Sequence, residues 1–163
     1  MIHGRVRVGI LTLLVVLIGS VALAQRWRRS PENLSENRRG VPMWEVDNKF
    51  PGDMFTFVRI EYDSYGGRGG GGGWLTDYPD SDLNFSLRLQ QLTSMKVNPV
   101  PLDMRLTDPR LFDYPFIYII EPGSLVFDEA EVAALRKYCL NGGFLMVDDF
   151  WGDSQYELSL IHI

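Results

Sequence analysis

The chain has 163 residues, of which 45% are hydrophobic and 23% are charged, a composition typical of a globular protein. Its formal net charge of −5 makes nucleic acid and anionic membrane surfaces poor partners, so we expect no nucleic-acid binding. A single cysteine, Cys139, excludes an internal disulfide, and the sequence contains no Cys or His spacing typical of a metal site.

The first predicted element is an export segment. Arg5 and Arg7 precede an uncharged, apolar run from Val8 to Ala24, which ends in the small-x-small pattern that signal peptidase recognises. Arginines directly after this run favour an uncleaved anchor instead, because positive charge there resists export. We therefore predict that residues 1–24 are a signal peptide, or alternatively an N-terminal anchor. Either form places the rest of the chain in the periplasm, exported or anchored in the inner membrane through this segment alone.

Residues 25–50 have no hydrophobic period of 2 or 3.6, which predicts a linker with little structure, with Trp44 docking on the domain. Met54 to Glu61 is short and rich in β-branched and aromatic residues, which predicts the first strand of an α/β domain over 51–157. The glycines of 66–73 lack the Gly-Lys-Ser/Thr ending of a phosphate loop. We expect a mobile loop over the sheet edge, with anion binding by its backbone N–H groups as an alternative.

The first helix is predicted to begin after the turn residues of 76–79. Asp80 or Ser81 is expected to cap its free N–H groups. An apolar stripe at helical spacing predicts the face that packs on the core, and Asn98-Pro99 ends the helix. The stripe consists of Phe85, Leu89, Leu92 and Met95.

The second and third strands differ in pattern. Val100 to Leu106 alternates between apolar and charged residues, which predicts an edge strand with one solvated face. Pro115 to Ile120 is continuously apolar, which predicts a strand covered on both faces.

The second helix is predicted to begin at Asp128, which forms an acidic variant of the capping box with Glu131. Its core face is predicted from Val132, Leu135 and Cys139, so that Cys139 is a small buried residue and not a nucleophile. The glycines of 142–143 end this helix, and residues 144–147 form the next buried strand.

The resulting order, β-α-β-β-α-β, predicts an α/β fold with a mainly parallel sheet and helices on both faces. We predict a flavodoxin-like, Rossmann-type three-layer domain. The first, third and fourth strands are expected at its centre, and the second at its edge.

Histidine lies only at His3 and His162. Residues 158–163 resemble a translated sequencing adapter, so we expect a non-native tail and a natural chain that continues beyond Glu157. The body of the chain, 25–157, then holds no histidine, and a Ser-His-Asp or Cys-His centre cannot be completed within it. A histidine in the expected continuation beyond Glu157 is the alternative that would complete one.

Acidic and aromatic residues follow the predicted strands. Because ligands bind at the carboxyl ends of parallel strands, we expect a ligand-binding site there. The candidate residues are Asp63, Asp77, Tyr78, Glu121, Asp148, Asp149 and Trp151. Three interpretations remain open: a Ca²⁺ or Mg²⁺ site or other ligand site, a carboxylate pair for hydrolysis, and loop capping with Trp151 covering the core.

Three groups of motifs follow one another along the chain. They are Thr76-Asp77-Tyr78-Pro79 with Asp82 and Asn84, Leu106-Thr107-Asp108-Pro109 with Leu111-Phe112 and Tyr114-Pro115-Phe116, and Gly142-Gly143-Phe144-Leu145 with Asp148-Asp149-Phe150-Trp151-Gly152. In this order they resemble a bacterial family, domain of unknown function 4159. The resemblance implies a class I glutamine amidotransferase-like fold in an exported or membrane-attached protein. It does not imply a reaction. In that fold the turn after the Gly-Gly strand bears a nucleophilic cysteine, and here it carries Asp148 and Asp149.

The sequence thus predicts a non-catalytic domain of the cell envelope that binds a protein, a small molecule or a glycan. The alternative is a carboxylate- or metal-dependent hydrolase that uses Asp148 and Asp149. No catalytic residue is assigned in the first case, and no cofactor is expected apart from Ca²⁺ or Mg²⁺ in the metal-binding alternative.

Overall fold

The structure, a computed structural model, describes residues 37–64 apart from 48 and 50, and residues 73–153. The predicted export segment, most of the glycine-rich loop and the tail of 158–163 lie outside the described residues. Backbone contacts divide the chain into Met1–Asn37 and Arg38–Ile163, and every element named below belongs to the second unit. No helix in the described part of the chain has both the length and the apolarity needed to cross a membrane.

In the described residues, eight short strands and two α-helices follow one another. In chain order they are β1 (Met54–Phe55), β2 (Val58–Glu61), β3 (Asp63–Ser64), α1 (Asp80–Leu92), β4 (Lys96–Val97), β5 (Leu102–Arg105), β6 (Phe116–Ile120), β7 (Leu125–Val126), α2 (Glu129–Leu140) and β8 (Phe144–Asp148). One 3-10 segment precedes β1 at Pro51–Asp53, and others lie between the elements at Gly73–Leu75, Pro109–Asp113 and Pro122–Ser124.

The main sheet is parallel and has the order β5-β2-β6-β8. Numbered by first appearance in this sheet, that order is 2-1-3-4, which is compatible with a flavodoxin-like fold. The predicted mainly parallel sheet, with its second strand at the edge, is confirmed. Two smaller pairs flank it: β1 with β4 in parallel, and β3 with β7 in antiparallel.

The two faces of the sheet are covered by different helices. Because side chains alternate along a strand, Val58 and Ile60 of β2 point to one face, where they belong to the same core cluster as Leu135 of α2. Phe57 points to the other face and lies 5.2 Å, ring to ring, from Phe85 of α1. The predicted placement of helices on both faces is therefore confirmed.

The second helix follows its predicted signals. The Asp128 carboxylate accepts a hydrogen bond from the Glu131 backbone, and the Glu131 carboxylate accepts one from the Asp128 backbone, which completes the predicted capping box. Gly142 ends the helix with φ of +89°, a conformation that favours glycine. Its buried face differs in part from the prediction, since Tyr138 is buried in the core whereas Cys139 is only partly buried.

The first helix departs from its prediction at both ends. Pro79 is the N-cap and no side chain caps the helix, so the prediction of Asp80 or Ser81 as the cap is wrong. The helix ends at Leu92, because Thr93 turns to an extended conformation and bonds back to Leu89. The chain then enters β4, a strand that the sequence did not predict.

This early end also corrects the predicted core stripe. Leu92 is 80% exposed and Met95 is 46% exposed, so neither packs on the core. The buried face of α1 is formed by Asp82, Leu83 and Ser86. Two polar residues four positions apart, Asp82 and Ser86, therefore lie on the buried face of α1. The apolar pattern predicts a different face.

The fourth strand of the sheet, β8, is not central. Among the described residues it pairs only with β6, and Phe144 at its start is 62% exposed. Leu145, Met146 and Val147 are each half-buried. The prediction of a central, fully buried strand is wrong within the described part of the chain, because α1 and α2 lie over the inner strands.

The segment before the sheet docks on the domain. The Trp44 indole donates to the Val97 carbonyl at 2.8 Å, which confirms the expected docking of Trp44. Arg38 is buried and donates to the Pro99 carbonyl at 2.6 Å. This segment has no helix or strand over 37–47, in agreement with the predicted lack of regular structure. Two of its side chains nevertheless bind backbone carbonyls of the domain, those of Val97 and Pro99.

Candidate functional site

The strand ends place the predicted acidic residues at one edge of the main sheet. Since β2, β6 and β8 are parallel, their carboxyl ends lie at the same edge. Tyr62 follows β2, Glu121 follows β6, and Asp148 closes β8. We call this side of the domain the carboxyl edge.

Glu121 lies at the centre of the carboxyl edge and binds a backbone group. Its carboxylate accepts a hydrogen bond from the Gly73 N–H at 2.6 Å. The Tyr62 hydroxyl donates to the carbonyl oxygens of Ile120 and Glu121, at 2.6 and 2.8 Å. Glu121 itself has φ of +48°, a left-handed conformation that is uncommon for a residue other than glycine.

Asp63 is engaged in an ion pair beside this centre. Its carboxylate accepts a hydrogen bond from Arg105 at 2.7 Å. Arg105 also donates to Glu131 of the capping box at 3.2 Å. The charge of Asp63 is thus balanced within the domain, and its role here is to join β3, β5 and the start of α2.

Asp148 and Asp149 lie at the outer end of the carboxyl edge. The Tyr118 hydroxyl donates to Asp148 Oδ2 at 3.4 Å, and the Asp149 backbone N–H donates to Asp148 Oδ1 at 2.9 Å. Asp149 has φ of +63°, and the nearby Trp151 is 68% exposed. Trp151 does not cover the core, so that part of the loop-capping interpretation is wrong. No Lys or Arg in the described residues forms an ion pair with either carboxylate.

Asp77 and Tyr78 lie before α1 and serve the loop that leads into it. Asp77 is exposed, has φ of +54°, and accepts a hydrogen bond from the Ser81 backbone N–H through its carbonyl oxygen. The Tyr78 hydroxyl donates to Asp103 of β5 at 3.0 Å. Its ring meets Trp74 edge-on, with 6.0 Å between centroids.

The structure brings the candidate residues to one edge but not into one cluster. In the described part of the chain, no three His, Cys, Asp or Glu side chains lie close enough together to hold a metal ion. Asp63 and Glu121 are bound to internal partners. Asp148 and Asp149 form no ion pair with a Lys or Arg among the described residues, and Trp151, which closely follows them in the chain, is exposed.

A buried ion pair lies beneath the carboxyl edge, and the sequence analysis did not predict it. Arg59 of β2 and Asp82 of α1 are both fully buried. The Arg59 Nε lies 3.0 Å from each Asp82 carboxylate oxygen, and its Nη2 lies 2.5 Å from Oδ1. A signal was present in the sequence, because Arg59 interrupts an apolar strand and a buried charge requires a partner. Its partner, 23 positions away, had no such signal.

Arg59 also binds the chain that leads into α1. Its Nη1 donates to the carbonyl oxygens of Trp74 and Thr76 at 2.8 and 3.0 Å, and Nη2 donates to the Ser81 hydroxyl. The guanidinium carbon lies 5.2 Å from the centroid of the Tyr118 ring. Since these bonds use the donors of the guanidinium, Arg59 is a structural group that fixes the loop and Tyr118 beneath Asp148.

Burial raises the pKa of Tyr62, Tyr78 and Tyr118, and it raises the pKa of Tyr138 to about 12. The neutral phenol is favoured in the folded state, so its contribution to stability is fully present below about pH 10, the unfolded value. That contribution is lost as the pH rises from there through the folded pKa. We expect alkaline unfolding to begin above about pH 10, with phenolate absorbance rising together with loss of the helical circular dichroism. Phenolate formation by Tyr62, Tyr78 and Tyr118 at pH 10 in a folded protein would contradict this.

The fold and this edge define a class: an α/β domain with a parallel sheet, whose carboxyl edge carries acidic and aromatic side chains. The chain belongs to the family described as Domain of unknown function (DUF4159), whose model matches residues 56–160. The matched range contains the whole four-stranded sheet and both α-helices. A search of curated proteins finds no match.

Proposed function

We propose that this protein is a non-catalytic binding domain of the bacterial cell envelope, exported or anchored by residues 1–24. Its binding site is the outer carboxyl edge, formed by Asp148, Asp149 and Trp151. One observation carries the proposal: these carboxylates have no basic partner in the described residues, whereas Asp63 and Glu121 at the same edge are bound internally. Two neighbouring carboxylates of like charge favour a cation or a hydrogen-bond donor between them, and an exposed indole beside them offers an apolar face to a partner.

The chemistry of these groups defines the ligand. Two carboxylates accept hydrogen bonds or bind a cation, and an indole face stacks on a sugar ring or a cationic group. The ligand is therefore a glycan or a basic segment of a protein, and Ca²⁺ or Mg²⁺ is the simplest cation to test. Asp77 and Tyr78 border the same edge and are expected to act on the ligand only indirectly.

The resemblance to the amidotransferase-like fold, as inferred from the sequence motifs, favours a binding role over a catalytic one. In that fold the turn after the Gly-Gly strand carries the nucleophile, and this chain has Asp148 and Asp149 there. Its cysteine, Cys139, lies in α2 and packs against the core, and burial raises the pKa of its thiol. A raised pKa keeps the thiol protonated, which is the opposite of what a nucleophile requires.

The test is a binding assay on the double variant Asp148→Asn with Asp149→Asn and, separately, on Trp151→Ala. The probes are a neutral oligosaccharide, an arginine-rich peptide, CaCl₂ and MgCl₂, each followed by amide chemical shifts. We expect one probe to shift the signals of Asp149 and Trp151 in the wild type and neither variant to respond. The matched control is Asp113→Asn, which removes an exposed carboxylate before the opposite end of β6.

The variants are also expected to keep the melting temperature of the wild type, because Asp148 and Trp151 are exposed and asparagine at 148 and 149 keeps an oxygen acceptor. Shifts that persist in the double variant would contradict the proposal. So would a large loss of stability in that variant without loss of binding, since it would assign the two carboxylates to loop capping.

A further inference from the structure

The order of the strands marks a second position at the carboxyl edge. In a sheet of this order, the switch point lies between the first and third strands, here β2 and β6, whose following helices cover opposite faces. The crevice outside these two strand ends is where such sheets bind ligands. In this protein the crevice is occupied by the domain's own side chains.

Tyr62 fills the crevice from the β2 side. It is buried, and its hydroxyl bridges to the carbonyl oxygens that end β6, at 2.6 and 2.8 Å. Gly73 lies against its ring, so that a Cβ at Gly73 would come within 3.4 Å of the hydroxyl oxygen. Gly73 also has φ of +76°, which favours glycine at this position.

Glu121 holds Gly73 in this position from the β6 side. The bond from the Gly73 N–H to the Glu121 carboxylate, at 2.6 Å, is short and charge-assisted. Glu121 makes it from a left-handed backbone conformation, which persists only where surrounding contacts impose it. The Glu121 carboxylate thus holds Gly73 by one hydrogen bond, from a strained backbone, at the switch point. Such a bond can be exchanged for a bond to a ligand.

We propose that Tyr62, Gly73 and Glu121 form a latch that closes the switch-point crevice, and that the latch opens locally while the sheet stays folded. Opening frees the Glu121 carboxylate and the carbonyl oxygens of Ile120 and Glu121. These groups are acceptors only, so the open crevice suits a ligand that carries hydrogen-bond donors. The latch does not depend on the binding role proposed for Asp148 and Asp149, and its test requires no ligand.

The test is amide hydrogen exchange of the full chain, read at Gly73 and at core amides of β2 and β6. Glu121→Ala is expected to accelerate exchange at Gly73 by about 10- to 100-fold, the range for losing a hydrogen bond to a charged group. Exchange at Ile60 and Ile117 should stay within about 2-fold of the wild type, because the opening is local. Tyr62→Phe, which keeps the ring and removes the hydroxyl, should accelerate Gly73 by a smaller factor.

The control is Glu129→Ala, which removes an exposed carboxylate from the first turn of α2 and should leave Gly73 unchanged. Unchanged exchange at Gly73 in a folded Glu121→Ala variant would overturn the latch. Equal acceleration at Gly73 and in the core strands would also overturn it, since Glu121 would then only support global stability. If Glu121→Ala does not fold, Tyr62→Phe decides by the same comparison of Gly73 with Ile60 and Ile117.

Discussion

Replacing Asp82 with asparagine is expected to lower the free energy of unfolding by about 3–5 kcal/mol, the range for removing one partner of a buried ion pair. Arg59 would keep its charge in a fully buried site and lose the carboxylate that balances it. Since a domain of this kind has about 5–15 kcal/mol of stability, this change alone removes a large part of it. Urea unfolding followed by circular dichroism measures the effect.

The matched control is Asp80→Asn in the same first turn of α1. Asp80 pairs with Arg39 at 2.9 Å, but both side chains are about half exposed, at 44% and 55%. Water screens this pair, so its loss should cost less than about 1 kcal/mol. Both substitutions remove one negative charge from the helix start, so the helix dipole contributes equally to each. Equal losses in the two variants would contradict the role of Arg59 and Asp82 as a buried pair.

Replacing Gly143 with alanine is expected to cost about 3 kcal/mol or more, at the upper end of the range for overpacking. An added Cβ would lie 2.2 Å from the ring of Tyr138, far inside contact distance. Tyr138 cannot easily move away, because its ring is buried and its hydroxyl donates to the Tyr114 carbonyl at 2.9 Å. The same urea titration measures this loss.

The neighbouring Gly142 supplies the control. It has φ of +89°, and a Cβ there meets no atom within 4 Å. Gly142→Ala should therefore lower the free energy of unfolding by only about 1–2 kcal/mol, the cost of a left-handed backbone conformation in a residue with a Cβ. If steric overlap with Tyr138 is the cause of the larger effect, Tyr138→Ala should make the second substitution at Gly143 much less costly. Similar losses for the two single glycine variants would contradict the steric argument.

The positions of the main strands were predictable because their signals are local. The continuous apolar run of β6, the alternation of β5 and the capping box of α2 are each contained in a few consecutive residues. The same short-range patterns predicted a parallel sheet with helices on both faces. The end of α1 was not predictable in this way, because β4 exists through its pairing with β1, about 40 residues earlier in the chain.

The candidate site was likewise predictable only in part. Sequence order placed Asp63, Glu121, Asp148 and Asp149 at strand ends, and the structure puts these ends at one edge. The sequence could not show which carboxylates have internal partners, since Arg105 reaches Asp63 from another strand and the Gly73 N–H reaches Glu121 from a 3-10 turn. Charge balance depends on neighbours in space, and those neighbours are far apart in the chain.

By itself, the sequence determined the helices and strands of the core, the acidic residues that follow those strands, and the exclusion of a His-based catalytic centre between residues 25 and 157. Only the tertiary structure decided that Arg59 and Asp82 form a buried pair, that Tyr62 and Glu121 form hydrogen bonds at the switch point, and that Asp148 is exposed at the outer end of the edge. The physical reason is the distance along the chain over which each interaction acts. Hydrophobic period and capping act between residues within a few positions of one another, whereas burial and ion pairing are properties of the assembled chain.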